Sequence, residues 1–308
     1  MVDLAIMIEG QNGLNWKRWQ AIVQLVEELG FYGLFRSDHF TNGRPPDMDS
    51  LELWTSLTWL AGNTQRIQFG PLVTPFSVRH PALTARMAAS VDDLSGGRLT
   101  LGLGAGWQER EHQKFGFDLL PIKDRFDRFE EGIQVVRGLL QQAEPLTYHG
   151  KYYQLVEAQV LPRTQRPGGP AILVGGNGKG RTLTLAARYA SEWNAIFLKP
   201  DEYQSLNSNL DHKILAAGRE LTAVKRSLMT GLVFGVDQAS LERVIHSRGS
   251  ASAEELRQRG VIVGTSAEVI DRIGALTAAG VQGIMLQWLD LDDLAGLEAL
   301  AKSVLPKV

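Results

Sequence analysis

The chain has 308 residues, 44% hydrophobic and 21% charged, and its 32 basic and 34 acidic side chains leave a formal net charge of −2. This is enough apolar material for one α/β barrel with insertions, and the near balance of charge excludes a broad attraction to nucleic acid or anionic lipid. The absence of cysteine excludes disulfides, thiolate nucleophiles and thiolate metal sites.

The N-terminus reads as a strand without a basic leader, and no apolar run approaches the ~18 residues that span a bilayer, so a cytoplasmic location is expected. Leu4 to Ile8 is that first strand. An Asn15-led helix follows with Trp19, Ile22, Val23, Val26 and Leu29 on one face, and Gly30 stops it. Phe31 to Phe35 is the second strand, Leu51 to Leu60 a helix, and Ile67 to Val73 the third strand. A helix introduced by Pro81 carries Leu83, Met87, Val91 and Leu94 at helical spacing, before Leu99, Leu101 and Leu103 alternate as strand four.

A helix from about Arg125 to Leu140 precedes the fifth strand, Ala171 to Val174. The sixth and seventh strands are Trp193 to Leu198 and Leu228 to Phe234. Thr265 and Glu268 have capping-box spacing at the start of a helix that ends at Gly280, and Val281 to Leu286 is the eighth strand. The joint Leu29-Gly30-Phe31-Tyr32-Gly33-Leu34 is echoed by Ala279-Gly280-Val281-Gln282-Gly283-Ile284. Eight alternating units and this echo favour a (β/α)8 TIM barrel as one domain over residues 1–308, with insertions near 143–169 and 237–260. The first insertion reads as a hairpin; the second is polar and partly helical, a lid or plain surface decoration.

Barrel ligands sit at the C-terminal ends of the strands, and four such places stand out. Asp38 and His39 follow strand two, where the carboxylate can accept hydrogen bonds and the imidazole can pass a proton near neutral pH; capping of the next loop is the competing reading. Leu72, Val73 and Thr74 lead into Pro75, which suits either a bulge beneath a flat ring or a rigid connection. Gly104 and Gly106 would let backbone approach a ligand beside Trp107, an apolar wall. Gly175, Gly176, Gly178, Arg181 and Thr182 belong to a glycine-rich turn opening a helix, a phosphate site or a flexible turn. The histidines at 39, 80, 112, 149, 212 and 246 never pair at metal-ligand spacing, so no metal site is expected, and no G-x-S-x-G elbow occurs.

Over nearly its whole length the sequence resembles the bacterial luciferase-like family, in its F420-dependent oxidoreductase branch. The resemblance rests on Ser37-Asp38-His39-Phe40, Val73-Thr74-Pro75 through Arg79-His80-Pro81, and Asp93-Leu94-Ser95-Gly96-Gly97-Arg98 with its following glycine loop. It continues in Ile172-Leu173-Val174-Gly175-Gly176, Arg181-Thr182-Leu183, Glu192-Trp193-Asn194 and Gly264-Thr265. The resemblance implies a homodimeric barrel binding coenzyme F420, or alternatively FMN. Asp38 and His39 would lie near the redox ring, the Leu72 to Thr74 bulge would support its face, and Gly175, Gly176 and Thr182 would hold the phosphate. One departure is Trp107, which stands where the family's sugar-phosphate dehydrogenases carry an acid. That disfavours sugar phosphates and points to an apolar or aromatic small-molecule substrate. The expected activity is hydride transfer with His39 and Asp38 as the catalytic pair; an oxygen-using FMN monooxygenase and a non-catalytic cofactor-binding barrel are the alternatives.

Overall fold

The computed structural model describes residues 2–247, 249 and 252–308. In chain order the elements are β1 (Asp3–Ile8), α1 (Trp16–Leu29), β2 (Gly33–Arg36), α2 (Leu53–Asn63), β3 (Gln68–Pro71), β4 (Thr74–Pro75), α3 (Pro81–Leu94) and β5 (Thr100–Gly104). Next come α4 (Glu109–Phe115), α5 (Ile122–Gln141), β6 (Leu146–His149), β7 (Gln154–Ala158), β8 (Ala171–Gly175), α6 (Arg181–Tyr189), β9 (Glu192–Ile196) and α7 (Pro200–Ala216). The chain finishes with β10 (Lys225–Phe234), α8 (Gln238–Ser247), α9 (Ala253–Gln258), β11 (Ile262–Gly264), α10 (Ser266–Ala278), β12 (Gly283–Gln287) and α11 (Leu294–Val304).

The strands lie side by side in the order β3-β2-β1-β12-β10-β9-β8-β5-β4. Neighbours run parallel, and a parallel bridge between Phe69 and Leu99 joins β3 to the entry of β5 and closes the ring. This is the expected (β/α)8 barrel, with β4 resuming the path of β3 after a break at Leu72 and Val73, whose peptide bond is cis. The antiparallel β6–β7 pair is the anticipated hairpin of the first insertion. Helices α8 and α9 occupy the second, packing Leu241 against Val233, Val261 and Val263; Arg248, Ser250 and Ala251 of that insertion lie outside the described residues. Among the described residues no helix is long and apolar enough to cross a membrane.

Both faces of the strands are covered, which is why they read as continuous apolar runs. In β1, Leu4, Ile6 and Ile8 join the core under the helices, while Ala5 and Met7 point into the barrel with Phe35, Leu173, Met229 and Met285. Asn15 caps α1 by accepting the Arg18 N–H at 3.2 Å, and Gly30 ends it at φ 91°, a conformation that Gly280 repeats at φ 100°. The helix over 51–60 begins two residues later than expected, at Leu53, because Glu52 accepts the Thr55 N–H and serves as its cap. The α3 stripe also departs from expectation. Its buried face is Thr84, Ala85, Ala88, Ala89, Val91 and Asp92, whereas Leu83 and Leu94 are 53% and 54% exposed. Small residues face inward there because α3 packs close to α2 and α5.

One side of the barrel interior is filled by backbone. A Cβ on Gly70 would lie 1.9 Å from the Thr100 carbonyl oxygen, and one on Gly102 would lie 2.1 Å from that of Pro71. A Cβ on Gly104 would lie 2.5 Å from Cγ2 of Val73. The glycines of β3 and β5 thus admit close strand approach and make room for the Val73 side chain. Below this seam, Arg98 donates to the carbonyls of Ala61, Thr64, Ile67 and Ser95 and to the Thr64 hydroxyl at 2.7–3.0 Å, tying the ends of α2 and α3 to the start of β3. Arg98→Met should leave those acceptors unpaired and lower unfolding free energy by about 2–4 kcal/mol in urea titration, with ligand binding at the far end of the barrel retained.

Candidate functional site

A cavity of about 520 Å³ opens at the C-terminal ends of the strands. It is lined by residues of the loops after β1, β2, β3, β5 and β8, by α4, α5 and the start of α6, by the ends of β9 and β12, and by Met229 within β10.

The β2 side is organised around a buried ion pair. Asp38 accepts from Arg79 Nε and Nη2 at 2.7 and 2.8 Å and from the Thr74 hydroxyl at 2.7 Å. The same Nη2 also reaches Glu52 at 2.8 Å. Asp38 lines the cavity, yet both its oxygens are committed to Arg79 and Thr74, so it anchors the Leu72–Val73 bulge rather than presenting a free acceptor. Thr74 is fully buried in this knot and does not line the cavity, whereas Leu72 and Val73 form part of its floor.

The next residue is differently placed. Nδ1 of His39 lies 3.1 Å from each oxygen of Glu111, at the beginning of α4, and the ring meets Trp107 edge-on at 5.4 Å. Glu111 also accepts the Phe40 N–H at 3.0 Å, and its side chain is 2% exposed. Burial by itself would lower the His39 pKa, but the hydrogen bond and charge of Glu111 outweigh it and raise the imidazole above its ordinary value. In return Glu111 is held below the usual glutamate range despite its burial. Among the described residues Nε2 has no protein partner, and since His39 lines the cavity this is the nitrogen a bound molecule can reach. A carboxylate on Nδ1 fixes the ring and supports the imidazolium form, which suits proton transfer through Nε2.

Across the cavity, β8 ends in the glycine-rich turn. Asn177 staples it to β9, donating to the Ile196 carbonyl at 2.7 Å and accepting the Ile196 N–H at 2.9 Å, while Trp193 donates to the Gly176 carbonyl at 2.9 Å. The turn is therefore fixed. Helix α6 begins beyond it without a side-chain cap, so the N–H groups of Arg181 and Thr182 are open to an anion while that of Leu183 bonds the Gly178 carbonyl, and Thr182 lines the cavity there with Gly175 and Gly176. Gly178 and Arg181 do not line it; Arg181 turns outward to the Lys123 carbonyl and Asp127 and lies over Phe126. Gly104, Gly106 and Trp107 do line it, Trp107 with 66% of its surface exposed.

Several lining residues went unrecognised in the sequence. Glu111 sits one helical turn beyond Trp107, and only folding of α4 brings it to His39. Arg125 donates to the carbonyls of Gly106 and Leu120, adding positive charge beside Phe126 and Ile122. Glu9 and Gln287, joined at 2.7 Å, directly follow or end β1 and β12, so the strand-end rule applied to those two strands would have found them.

The arrangement fits a flavin or deazaflavin: an apolar floor at Leu72 and Val73 for a flat ring, and an uncapped helix start with the Thr182 hydroxyl for a phosphate. Comparison with known proteins agrees with this geometry. The chain is 31% identical over 233 residues to the F420-dependent hydroxymycolic acid dehydrogenase of Mycobacterium tuberculosis, covering 72% of this chain and 61% of that one. It is 28% identical over 296 residues to the pyrimidine monooxygenase RutA of Methylobacterium radiotolerans, covering 83% of this chain and 74% of the other. Among solved structures, an F420-dependent secondary alcohol dehydrogenase in complex with an F420-acetone adduct superposes with a TM-score of 0.87 at 16% identity, over 100% of this chain and 99% of that one, a likeness of fold. The sequence profile described as luciferase-like monooxygenase matches residues 4–248, and with the barrel and its mouth built as above, the chain belongs to the luciferase-like monooxygenase family.

Proposed function

We propose that the protein is a cofactor-dependent oxidoreductase that transfers hydride between coenzyme F420 and a small organic substrate. The observation that carries this reading is the His39–Glu111 pair facing, across one cavity, the uncapped start of α6. When bound, the deazaflavin supplies the hydride chemistry; the chain supplies orientation, a water-poor pocket and a proton. The α6 N-terminus and Thr182, with Arg125 nearby, hold the phosphate end, and Leu72 and Val73 support the ring. His39 Nε2 gives or takes the proton that accompanies hydride transfer, Glu111 sets its orientation and charge, and Asp38 holds the bulge through Arg79 and Thr74. Trp107, Ile122, Phe126 and Phe197 make the substrate walls apolar.

The choice of F420 over FMN follows the sequence resemblance and the 31% identity to a relative named as F420-dependent. The FMN reading is supported by the likeness, at 24% identity over 322 residues, to an FMNH(2)-dependent dimethylsulfone monooxygenase of Pseudomonas putida. The homodimer that the family resemblance implies is supported by the face on α1, α2 and α3 where Trp16, Leu83 and Leu94 are 39%, 53% and 54% exposed around Trp59 and Met87.

Four measurements test these assignments. Titration of the purified protein with F420 and with FMN, followed by chromophore fluorescence, should show tighter binding of F420; a preference for FMN would replace hydride transfer by an oxygen-using reaction, and uptake of neither would remove the cofactor assignment. His39→Ala should slow turnover by roughly 10²–10⁴-fold with cofactor affinity nearly intact. Glu111→Gln removes the charge that raises the imidazole pKa, so the limb of the kcat/KM pH profile reporting His39 should move to lower pH; an unmoved limb would separate Glu111 from the proton transfer. Sedimentation should show the wild type as a dimer and Leu83→Asp/Leu94→Asp as a folded monomer, since burying two aspartates at such a contact costs several kcal/mol.

A further inference from the structure

The charges that line the cavity differ in how they are balanced. Asp38 is matched by Arg79, and Glu111 by His39. Arg125 spends its donors on the Gly106 and Leu120 carbonyls, near the α6 side. Glu9 is the remaining charged lining residue. Its oxygens accept from two amides, Gln11 Nε2 at 3.0 Å and Gln287 Nε2 at 2.7 Å, and it enters none of the ion pairs found among the described residues. The amides are themselves braced: Gln11 accepts from the Ser37 hydroxyl at 2.8 Å, and that hydroxyl accepts the Gly10 N–H at 3.0 Å. Glu9 is thus held in place by neutral donors on a built support.

The surroundings reinforce its sign. Arg36 is buried beneath Gly10, donating to the Ser56 hydroxyl and the Leu51 carbonyl, and Arg79 is paired as described. Arg36 lies in the field of Glu9, Asp38 and Glu52, and Arg79 in that of Asp38 and Glu52, while Glu111 answers to His39. With His39 protonated the count is three cations to four anions, so this side of the mouth stays acidic. Met229, Ile196 and Phe197 add apolar walls to the same cavity. A carboxylate without a direct ion pair, beside an apolar and partly enclosed space, attracts a positive group more strongly than it would in water.

We propose that Glu9 is a substrate-recognition residue and that the site takes substrates carrying a protonated nitrogen, an amine or imine, beside His39. This deepens the oxidoreductase reading above and rests on it. A carboxylate substrate of the same size meets repulsion at Glu9, and a neutral one gains a hydrogen bond without the charge.

The test is calorimetric titration, near neutral pH, of three probes of matched size: benzylammonium, benzyl alcohol and benzoate. Each is titrated into protein loaded with whichever of F420 or FMN it binds, and into protein with neither. The expected result is that the wild type prefers benzylammonium to benzyl alcohol by about tenfold or more, with benzoate weakest. Glu9→Gln should abolish that preference while its affinity for benzyl alcohol stays within about threefold of wild type. Glu9→Asp and Gln287→Leu, which keep the charge, should retain it. Equal binding of ammonium and alcohol by the wild type, a preference that survives in Glu9→Gln, or tightest binding of benzoate would overturn the proposal. Failure of the cofactor reading shows separately, as absence of F420 and FMN uptake, while the probe ratios of the cofactor-free protein still report on Glu9.

Discussion

The mouth of this barrel depends on the pairing of Asp38 with Arg79. The two residues come from different connections, one leaving β2 and the other entering α3, and their bidentate contact locks the intervening bulge through Thr74. Little of this contact is exposed to water, with side-chain exposures of 5% for Asp38 and 15% for Arg79. Removing either partner would strand a buried charge, a cost well above that of a surface ion pair. Leu72 and Val73 are presented as a floor because the pair holds Thr74 on one side while the Leu72 N–H bonds the Arg36 carbonyl on the other, and His39 follows directly on the pinned Asp38.

With that knot in place, the cavity acquires two chemically distinct sides. The β1–β2 side collects Glu9, Asp38 and Glu111 around His39, and the α6 side collects an open helix N-terminus, Thr182 and Arg125. Such a division lets one ligand be bound by its anionic end while its other end reaches His39, with apolar residues between. The separation follows from the barrel itself. Strand ends contribute side chains to a common rim, so groups distant in sequence share one cavity.

Some segments that carry the family resemblance turn out to serve the scaffold. Arg98, at the end of the Asp93 to Arg98 run, is buried among the carbonyls of α2, α3 and the start of β3, remote from the cavity. Its neighbour Asp92 accepts from Arg166 and from the Leu99 N–H, fastening the first insertion to the barrel. Gly102 and Gly104 accommodate Val73, and only Gly104 of the two also borders the cavity. In each case the residue serves a place where backbone passes close to a neighbouring chain segment, or where buried carbonyls need a donor.

What the amino-acid sequence determined by itself was local and periodic. Alternating apolar strands and capped helices declare the barrel, since Asn15, Gly30, Thr265 and Gly280 act on backbone only a few residues away. The strand-end rule likewise exposes His39, the Leu72–Val73 floor and the turn before Thr182. The tertiary structure decided which of those residues are free and which are spent. It committed Asp38 to Arg79, turned Arg181 outward to Asp127, and exposed Leu83 and Leu94 on an outer face. It also brought Glu111 to His39 across 72 positions and Gln287 to Glu9 across 278. Such contacts have no local signature, because they depend on where a closed ring of strands places side chains that lie far apart in sequence.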